Sequence, residues 1–526
     1  MRDFHKPGRS AVLTLNGMCA TSHPLAAQAA VDILRHGGNA MDAAIAGAVI
    51  LGLAEPAMTG LGGDLFALVS PAGGDEVIAV NGSGRAPSAA SAAALRAEGH
   101  DTIPRKSAHA VTVPGAVDAF CTMSERWGRL GLADSLDPAI RYMDEGIPVA
   151  PRVAFDWAGH ADELQGDAAR RHFLVDGAIP RTGDIFRQPG QAEVLRRIAQ
   201  QGRDAFYTGE VAEDICAALT AMGGLHTPDD FAATATTIGT PIAGSYKGRD
   251  LLEHPPNGQG VTAHLLLNIL SHFDLAAMEP FGADRAHVEA EAAKLAYDAR
   301  NRFLADVDHM TRLDHLQSPE TAARLAALID PKRAMAAPAK LSEEVHRETI
   351  YITVVDRDRM VVSLIYSIFN DFGSGIASDR FGILLQNRGA GFNLIEGHPN
   401  ELAGGKRPMH TIIPAILTER GRVTMPFGVM GGQYQPNGHA RVLTNMVDFG
   451  MDPQAALDAP RSFAEAGKLK LERGYAEQVF ADLAERGHDI VVPETPIGGA
   501  QAILIHENGV LEGASDPRKD GCAIGY

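Results

Sequence analysis

The run TIYITVVDRDRMVVSLIYSIF, residues 349–369, limits the fold more than any other stretch of this chain. Two segments dense in Val, Ile and Tyr flank the charged tetrad Asp356–Arg359, the pattern of two core-grade strands paired across a polar turn. Ahead of them, residues 329–348 (IDPKRAMAAPAKLSEEVHRE) lose all periodicity and gain Pro, Ala and charge, the composition of an exposed connector. The boundary between connector and strand falls at Thr349.

The rest of the chain supplies layers for that hairpin. Ser22 is the expected N-cap of PLAAQAAVDILRHGG, and Gly37-Gly38 its stop. Asn39 caps AMDAAIAGAVILGLAE, whose near-continuous small and apolar surface places it between layers. TGLGGDLFALVS is a glycine loop feeding a strand; the order helix, loop, strand reverses that of a dinucleotide fingerprint and argues against nucleotide binding. The middle third is mainly helical, with DPAIRYMDEG, QAEVLRRIAQQG, GEVAEDICAALTAMGG, RAHVEAEAAKLAYDARNRF and SPETAARLAALI each showing the 3.6-residue period. Beyond the hairpin, strands TIIPAIL, VTMPFGVM, QAILIHE and LKLERG alternate with helices GHARVLTNMVDFG and AEQVFADLAERG, so an α/β architecture with central strands is expected.

Charge narrows the partners. Against 65 Asp and Glu stand 47 Lys and Arg, a formal −18, which repels nucleic acid and anionic membrane and leaves a small molecule as the expected substrate. No apolar run reaches the roughly 18 residues of a membrane span. The first apolar run, AVLTL, is broken by Asn16 and Gly17, too short for a secretory signal, so a cytoplasmic location is expected. Cys19, Cys121, Cys216 and Cys522 lie far apart and read as buried thiols, and the histidines show no ligand spacing, so neither a metal nor an organic cofactor is expected.

A cut in front of Thr349 would place a hydroxyl and a free α-amine on one residue. An α-amine titrates near ~7.7–8.0, so at neutral pH part of it is unprotonated and takes the hydroxyl proton, directly or through water. Gly431-Gly432 in FGVMGGQYQPNG offers two adjacent backbone N–H groups suited to an oxyanion pocket. The residues alone leave other readings open: Thr349 as a β-branched strand opener, Gly431-Gly432 as a plain turn.

Many ordered motifs resolve the choice by resemblance. GGNAMDAAIAGAVILGLAEPAMTGLGGDLFALV, VTVPGAVDAF, FYTGEVAEDI, GGLHTPDDF and EHPPNGQGVTAHLLLNIL precede the hairpin; ETIYITVVDRD, FGSGI, GKRPMHTIIPAI, GVMGGQ and ALDAPR follow in order. Over nearly its full length the chain resembles the γ-glutamyltranspeptidase (glutathione hydrolase) family of N-terminal-nucleophile (Ntn) hydrolases. The resemblance implies a four-layer αββα sandwich, self-cleavage at Glu348–Thr349, and two associated subunits, residues 1–348 and 349–526. It implies Thr349 as nucleophile, Ser367 as the second hydroxyl that hydrogen-bonds it, and Gly431 and Gly432 as oxyanion donors.

The substrate-binding set departs from the family pattern. Where γ-glutamyl-cleaving members place an aspartate facing the substrate ammonium, QNRGAGF has Gly391, with Arg388 nearby. His410-Thr411 replaces a serine pair, Ser83 takes the place of a carboxylate-binding arginine with Arg85 two positions on, and Phe369 stands where an asparagine is expected, with Asn370 next. Arg388, His410, Thr411, Arg85 and Phe369 are therefore the expected substrate contacts, able to clamp a carboxylate while the ammonium loses its counter-ion. The segment from Gly391 to Pro408 looks short for a lid and implies an open cleft. The expected activity is hydrolysis or transfer of a γ-glutamyl or related acyl group from an amide to water or an amine. The alternatives are a glutaryl-type acylase for a carboxylated amide lacking the α-amine, and an unprocessed, inactive small-molecule-binding relative.

Overall fold

The computed structural model describes residue 5 and residues 8–335 and 349–526; Glu348, and so the expected cleavage bond, lies outside the described residues. The hairpin forms as its sequence requires. Strands Ile350–Val355 and Val361–Ser367 pair antiparallel, Ile350 opposite Tyr366 and Val355 opposite Val361. Asp356 closes the turn, accepting hydrogen bonds from the N–H groups of Met360 and Ala40, both at 2.9 Å. Both strands are buried at every position, so their alternation separates two apolar surroundings rather than core from water. Ile350, Ile352, Val354 and Leu364 enter a helical core, whereas Tyr351, Val355, Val361 and Ile365 face a second sheet.

The hairpin lies at the centre of a seven-stranded sheet in the order Cys522–Gly525, Met18–Thr21, Ile350–Val355, Val361–Ser367, Asp64–Ser70, Ile78–Gly82, Thr237–Gly239. The second sheet runs Val12–Thr14, Leu511–Ser515, Gly499–Ile505, Arg422–Met430, Ala415–Glu419, Arg249–Glu253, Ile242–Tyr246. All neighbours in both sheets are antiparallel. Each sheet mixes strands from before and after the connector.

Helices Pro24–Arg35 and Ala40–Ala54 cover the outer face of the hairpin sheet, and Gly260–Leu270 and Gln435–Val447 that of the other. This is the αββα sandwich. Ala40–Ala54 is buried at all its residues, as its unbroken apolar surface requires, and Asn39 caps it in a reciprocal capping box with Asp42. Between the sheets Phe66, Tyr351, Ile365, Ile412 and Met430 interlock. Gly428 makes room for one of them: a Cβ there would lie 2.3 Å from the Tyr351 ring.

Two local expectations are corrected. His23, not Ser22, caps Pro24–Arg35, its Nδ1 accepting from the Leu25 N–H at 3.3 Å; Ser22 Oγ instead donates to the buried carboxyl of Glu55, which has a stronger need for a donor. The LKLERG strand, Lys468–Leu471, joins a separate three-stranded sheet with Ser462–Glu465 and Ile490–Val491 rather than the central layers.

Candidate active site

Strand register builds the site. One step beyond the Ile350–Tyr366 pair, Thr349 meets Ser367; Ser367 pairs with Asp64; one step beyond Leu65–Gly82, Asp64 meets Ser83. Cross-strand partners share a face, so these four residues form one row on the side turned toward the second sheet. None is more than 3 % exposed. The glycine loop in front of Asp64 serves close packing, since a Cβ on Gly62 would lie 2.1 Å from the Leu384 carbonyl oxygen and one on Gly63 2.5 Å from that of Ser367.

Ser367 Oγ accepts from the Phe369 N–H at 2.9 Å and from Arg388 Nη2 at 3.3 Å. A hydroxyl has two acceptor sites and one proton, so Ser367 keeps its proton free to donate. Arg388 also donates from Nη1 to Thr411 Oγ1 at 2.8 Å, and its guanidinium lies 4.1 Å over the Phe369 ring. The side chain is fully buried, and its Nε–H has no partner among the described residues. Burial pushes the guanidinium down to about 9, with the Asp64 carboxylate opposing, so it carries its charge at neutral pH. The register, extended by one step, places Thr349 beside Ser367, and the Phe369 N–H and Arg388, itself bound to Thr411, gather at Ser367.

Asp64 organises the far end of the row. Its Oδ1 accepts from the N–H of Gly84 (2.9 Å) and Gly115 (3.2 Å) and from Gln386 Nε2 (2.8 Å), and its Oδ2 from His410 Nε2 (3.1 Å). Burial alone would raise this carboxyl, but the His410 hydrogen bond, the Arg388 charge and the Gln386 amide hold it below the usual carboxylate range. His410 is kept neutral: burial first, then the Arg388 charge, push it down to about 3, and its Nδ1 accepts from the Ile412 N–H at 3.3 Å.

Two expected substrate contacts are corrected. His410 is fully buried against Asp64 and the Phe66 ring, where it braces the row. Arg85 turns away, donating to the Gly405 carbonyl at 2.8 Å beside Asp306, with 43 % of its side chain exposed. Within residues 392–407, backbone hydrogen bonds join the Asn393 N–H to the Asn400 carbonyl and the Leu402 N–H to the Asn393 carbonyl, and Thr349 is 1 % exposed.

Gly431 (φ 120°) and Gly432 (φ 53°) both adopt left-handed backbone at the end of strand Arg422–Met430, just ahead of helix Gln435–Val447. Consecutive glycines here let two peptide units turn at a helix start, where partial positive charge gathers. Gln259 Nε2 holds the turn, donating to the carbonyls of Thr411 (2.6 Å) and Gly432 (3.1 Å); Arg300 Nη1 in turn donates to Gln259 Oε1 at 2.6 Å and to Gln433 Oε1.

Sequence reasoning missed Asp64, Gln386, Gln259 and Arg300, and it passed over Asn370. The Asn370 side chain is 1 % exposed, and neither its oxygen nor its nitrogen has a partner among the described residues, a costly state for a buried amide. Its neighbours in the chain mark two cavities: Phe369 lines one of about 130 Å³ with Gly391, Asn400 and Gln433, and Asp371 lines one of about 520 Å³ with Gly431.

This arrangement of hydroxyls, buried cation and glycine turn can be compared with known proteins. The Gamma-glutamyltranspeptidase family model matches residues 26–526. The glutathione hydrolase-like YwrD proenzyme of Bacillus subtilis is 36% identical over 98% of this chain and 99% of its own length. The oxamate amidohydrolase proenzyme of Klebsiella pneumoniae is 36% identical over 98% and 100%. Among solved structures, the cephalosporin acylase of Bacillus halodurans superposes with a TM-score of 0.92 at 38% identity, covering 100% of this chain and 99% of that one. The family match takes in all four residues of the row, and these relatives cover 98–100% of the chain, so the chain belongs to the γ-glutamyltranspeptidase family of Ntn-type amidohydrolases and acyltransferases.

Proposed function

We propose that the chain matures by self-cleavage of the Glu348–Thr349 bond into subunits 1–348 and 349–526 that remain a heterodimer, and that Thr349 then attacks a small dicarboxylic monoamide lacking an α-amine. The observation that carries this reading is Arg388: a buried guanidinium bridging Ser367 and Thr411 beside a glycine, Gly391, that offers no carboxylate to an ammonium.

The chemistry follows from the row. The freed α-amine of Thr349 takes the proton of its own hydroxyl, and Oγ attacks the amide carbon. The oxyanion forms against the Gly431 and Gly432 N–H groups, the amine leaves with the proton, and water or an acceptor amine opens the threonyl ester. Ser367 donates to Thr349 Oγ, and Arg388 holds the acyl carboxylate. A cavity of about 130 Å³ beside Phe369 and Gly391 supports a short acyl group, since a single water occupies about 30 Å³ of liquid volume. The oxamate amidohydrolase relative supports the same class, oxamate being a monoamide without an α-amine.

A second reading, a γ-glutamyl donor, draws support from the glutathione hydrolase-like relative and from the unpartnered Asn370 carbonyl, which would accept from an α-ammonium. Turnover of oxamate and glutaryl-p-nitroanilide against γ-glutamyl-p-nitroanilide separates the two; a strong preference for the last overturns the monoamide assignment. A denaturing gel separates both from an inert binder. Fragments near two-thirds and one-third of the 55.7 kDa chain support maturation, and a single full-length band in active material refutes it.

A further inference from the structure

Far along the chain from Thr349, helix Ala283–Phe303 and the turn after helix Glu477–Glu485 assemble a cluster that acyl transfer does not use. His287 and Glu291, four positions apart and so on one helix face, meet His488. All three are buried, and their ligand atoms lie within 4.8 Å of one another. His287 Nε2–H donates to the Asp330 carbonyl at 2.8 Å, which fixes the tautomer and turns the bare Nδ1 lone pair toward His488 Nε2, 2.8 Å away. A ring nitrogen pinned to a carbonyl with its other nitrogen aimed at a shared point is the outer-shell arrangement of metal-binding histidines. Glu291 is oriented equally firmly, by Lys294 Nζ at 2.6 Å and the Met335 N–H at 2.7 Å.

We propose that His287, Glu291 and His488 form a binding site for a divalent first-row transition-metal ion, Zn²⁺ above all, with water as fourth ligand. Two imidazoles and one carboxylate match borderline ions, whereas Ca²⁺ and Mg²⁺ require all-oxygen cages. Two bonds of ~2.0–2.1 Å at a tetrahedral angle need the nitrogens about half an ångström further apart than they stand. Loading releases no net proton: the hydrogen on His488 Nε2 passes through solvent to Nδ1, and the ring stays neutral.

The site ties three segments together. The helix carries Arg300 to the glycine turn; residues 330–335, already joined to the 486–488 turn by the Ala334 N–H to Arg486 carbonyl bond (2.8 Å), begin the connector; and His488 comes from beyond it. With the chain cut before Thr349, the ion would be held by both products.

The test needs no substrate. Full-length purified protein is stripped with a chelator, then titrated with Zn²⁺ alone and with Co²⁺ alone. The expected result is one equivalent bound per chain, the visible bands of four-coordinate Co²⁺, displacement of Co²⁺ by Zn²⁺, and a rise in Tm on loading. His488→Ala is expected to lose all four signals while keeping acyl-transfer activity in the absence of metal. Stoichiometric uptake that survives in His488→Ala, or no four-coordinate Co²⁺ bands in the wild-type chain, overturns the proposal; the wild-type spectrum decides by itself if the variant does not fold.

Discussion

Thr349 and Thr353 lie four residues apart at the same hairpin, yet their surroundings differ. Thr353 Oγ1 donates to the Val362 carbonyl at 3.0 Å and is spent on the sheet. Thr349→Ala is therefore expected to abolish both chain cleavage and turnover, whereas Thr353→Ala costs about one net hydrogen bond, ~1 kcal/mol, and keeps activity. Gel and initial-rate assays on the pair check this, and the reverse outcome would reassign the nucleophile. Arg388→Gln is expected to raise KM by ~10–100-fold for carboxylated acyl donors and much less for neutral ones; equal effects would reduce Arg388 to scaffold. Thr349, Ser367 and the glycine pair could be proposed from sequence because each stands in a short linear motif. Asp64 was not, because a single aspartate before an apolar run acquires meaning only from Gln386 and His410, more than 300 residues away. The packing of Arg85 onto the Gly405 carbonyl and of His410 onto Asp64 was not legible for the complementary reason: position in a motif does not fix where a side chain points.

At the level of elements, the helices were legible from their period and caps, and the hairpin from its β-branched density. The sorting of strands into two stacked sheets was not, since strands buried on both faces carry no polar alternation to reveal which side meets which layer. Gly428 shows what that stacking demands. Gly428→Ala drives a Cβ to 2.3 Å from the Tyr351 ring, between sheets that cannot part on one side only. The expected cost is about 1–3 kcal/mol of stability. Because Tyr351 sits two residues from Thr349, slower chain cleavage should accompany the loss. A denaturant titration together with a cleavage time course checks both; wild-type values in each would show that the inter-sheet space is less tightly filled than the structure shows.

The whole molecule carries a pH signature. Burial holds His23, His226, His254 and His264 down at about 4, and His410 and His439 down at about 3. These folded values lie below the ~6.5 of an unfolded chain. The unfolded state therefore binds protons the folded state refuses. Stability from these residues is fully present above about pH 6.5 and falls as pH drops toward 4, by up to ~1.4 kcal/mol per residue for each unit of gap. Asp64, Glu472 and Asp516, held below the usual carboxylate range against the effect of burial by hydrogen bonds and neighbouring cations, add their loss only below about pH 4. Urea midpoints measured from pH 7.5 to 4.5 should fall throughout; a flat profile would mean that these imidazoles reach solvent.

The interleaving of the two sheets reaches into how the gene can be arranged. Ile350–Val355 is edged on one side by Met18–Thr21 and on the other by Val361–Ser367, so neither 1–348 nor 349–526 contains a whole sheet. Encoded as separate open reading frames, each piece alone should accumulate as insoluble protein. Translated side by side in one cell, with the second beginning at its threonine after removal of the initiator methionine, they should yield working enzyme in which no peptide bond was ever broken.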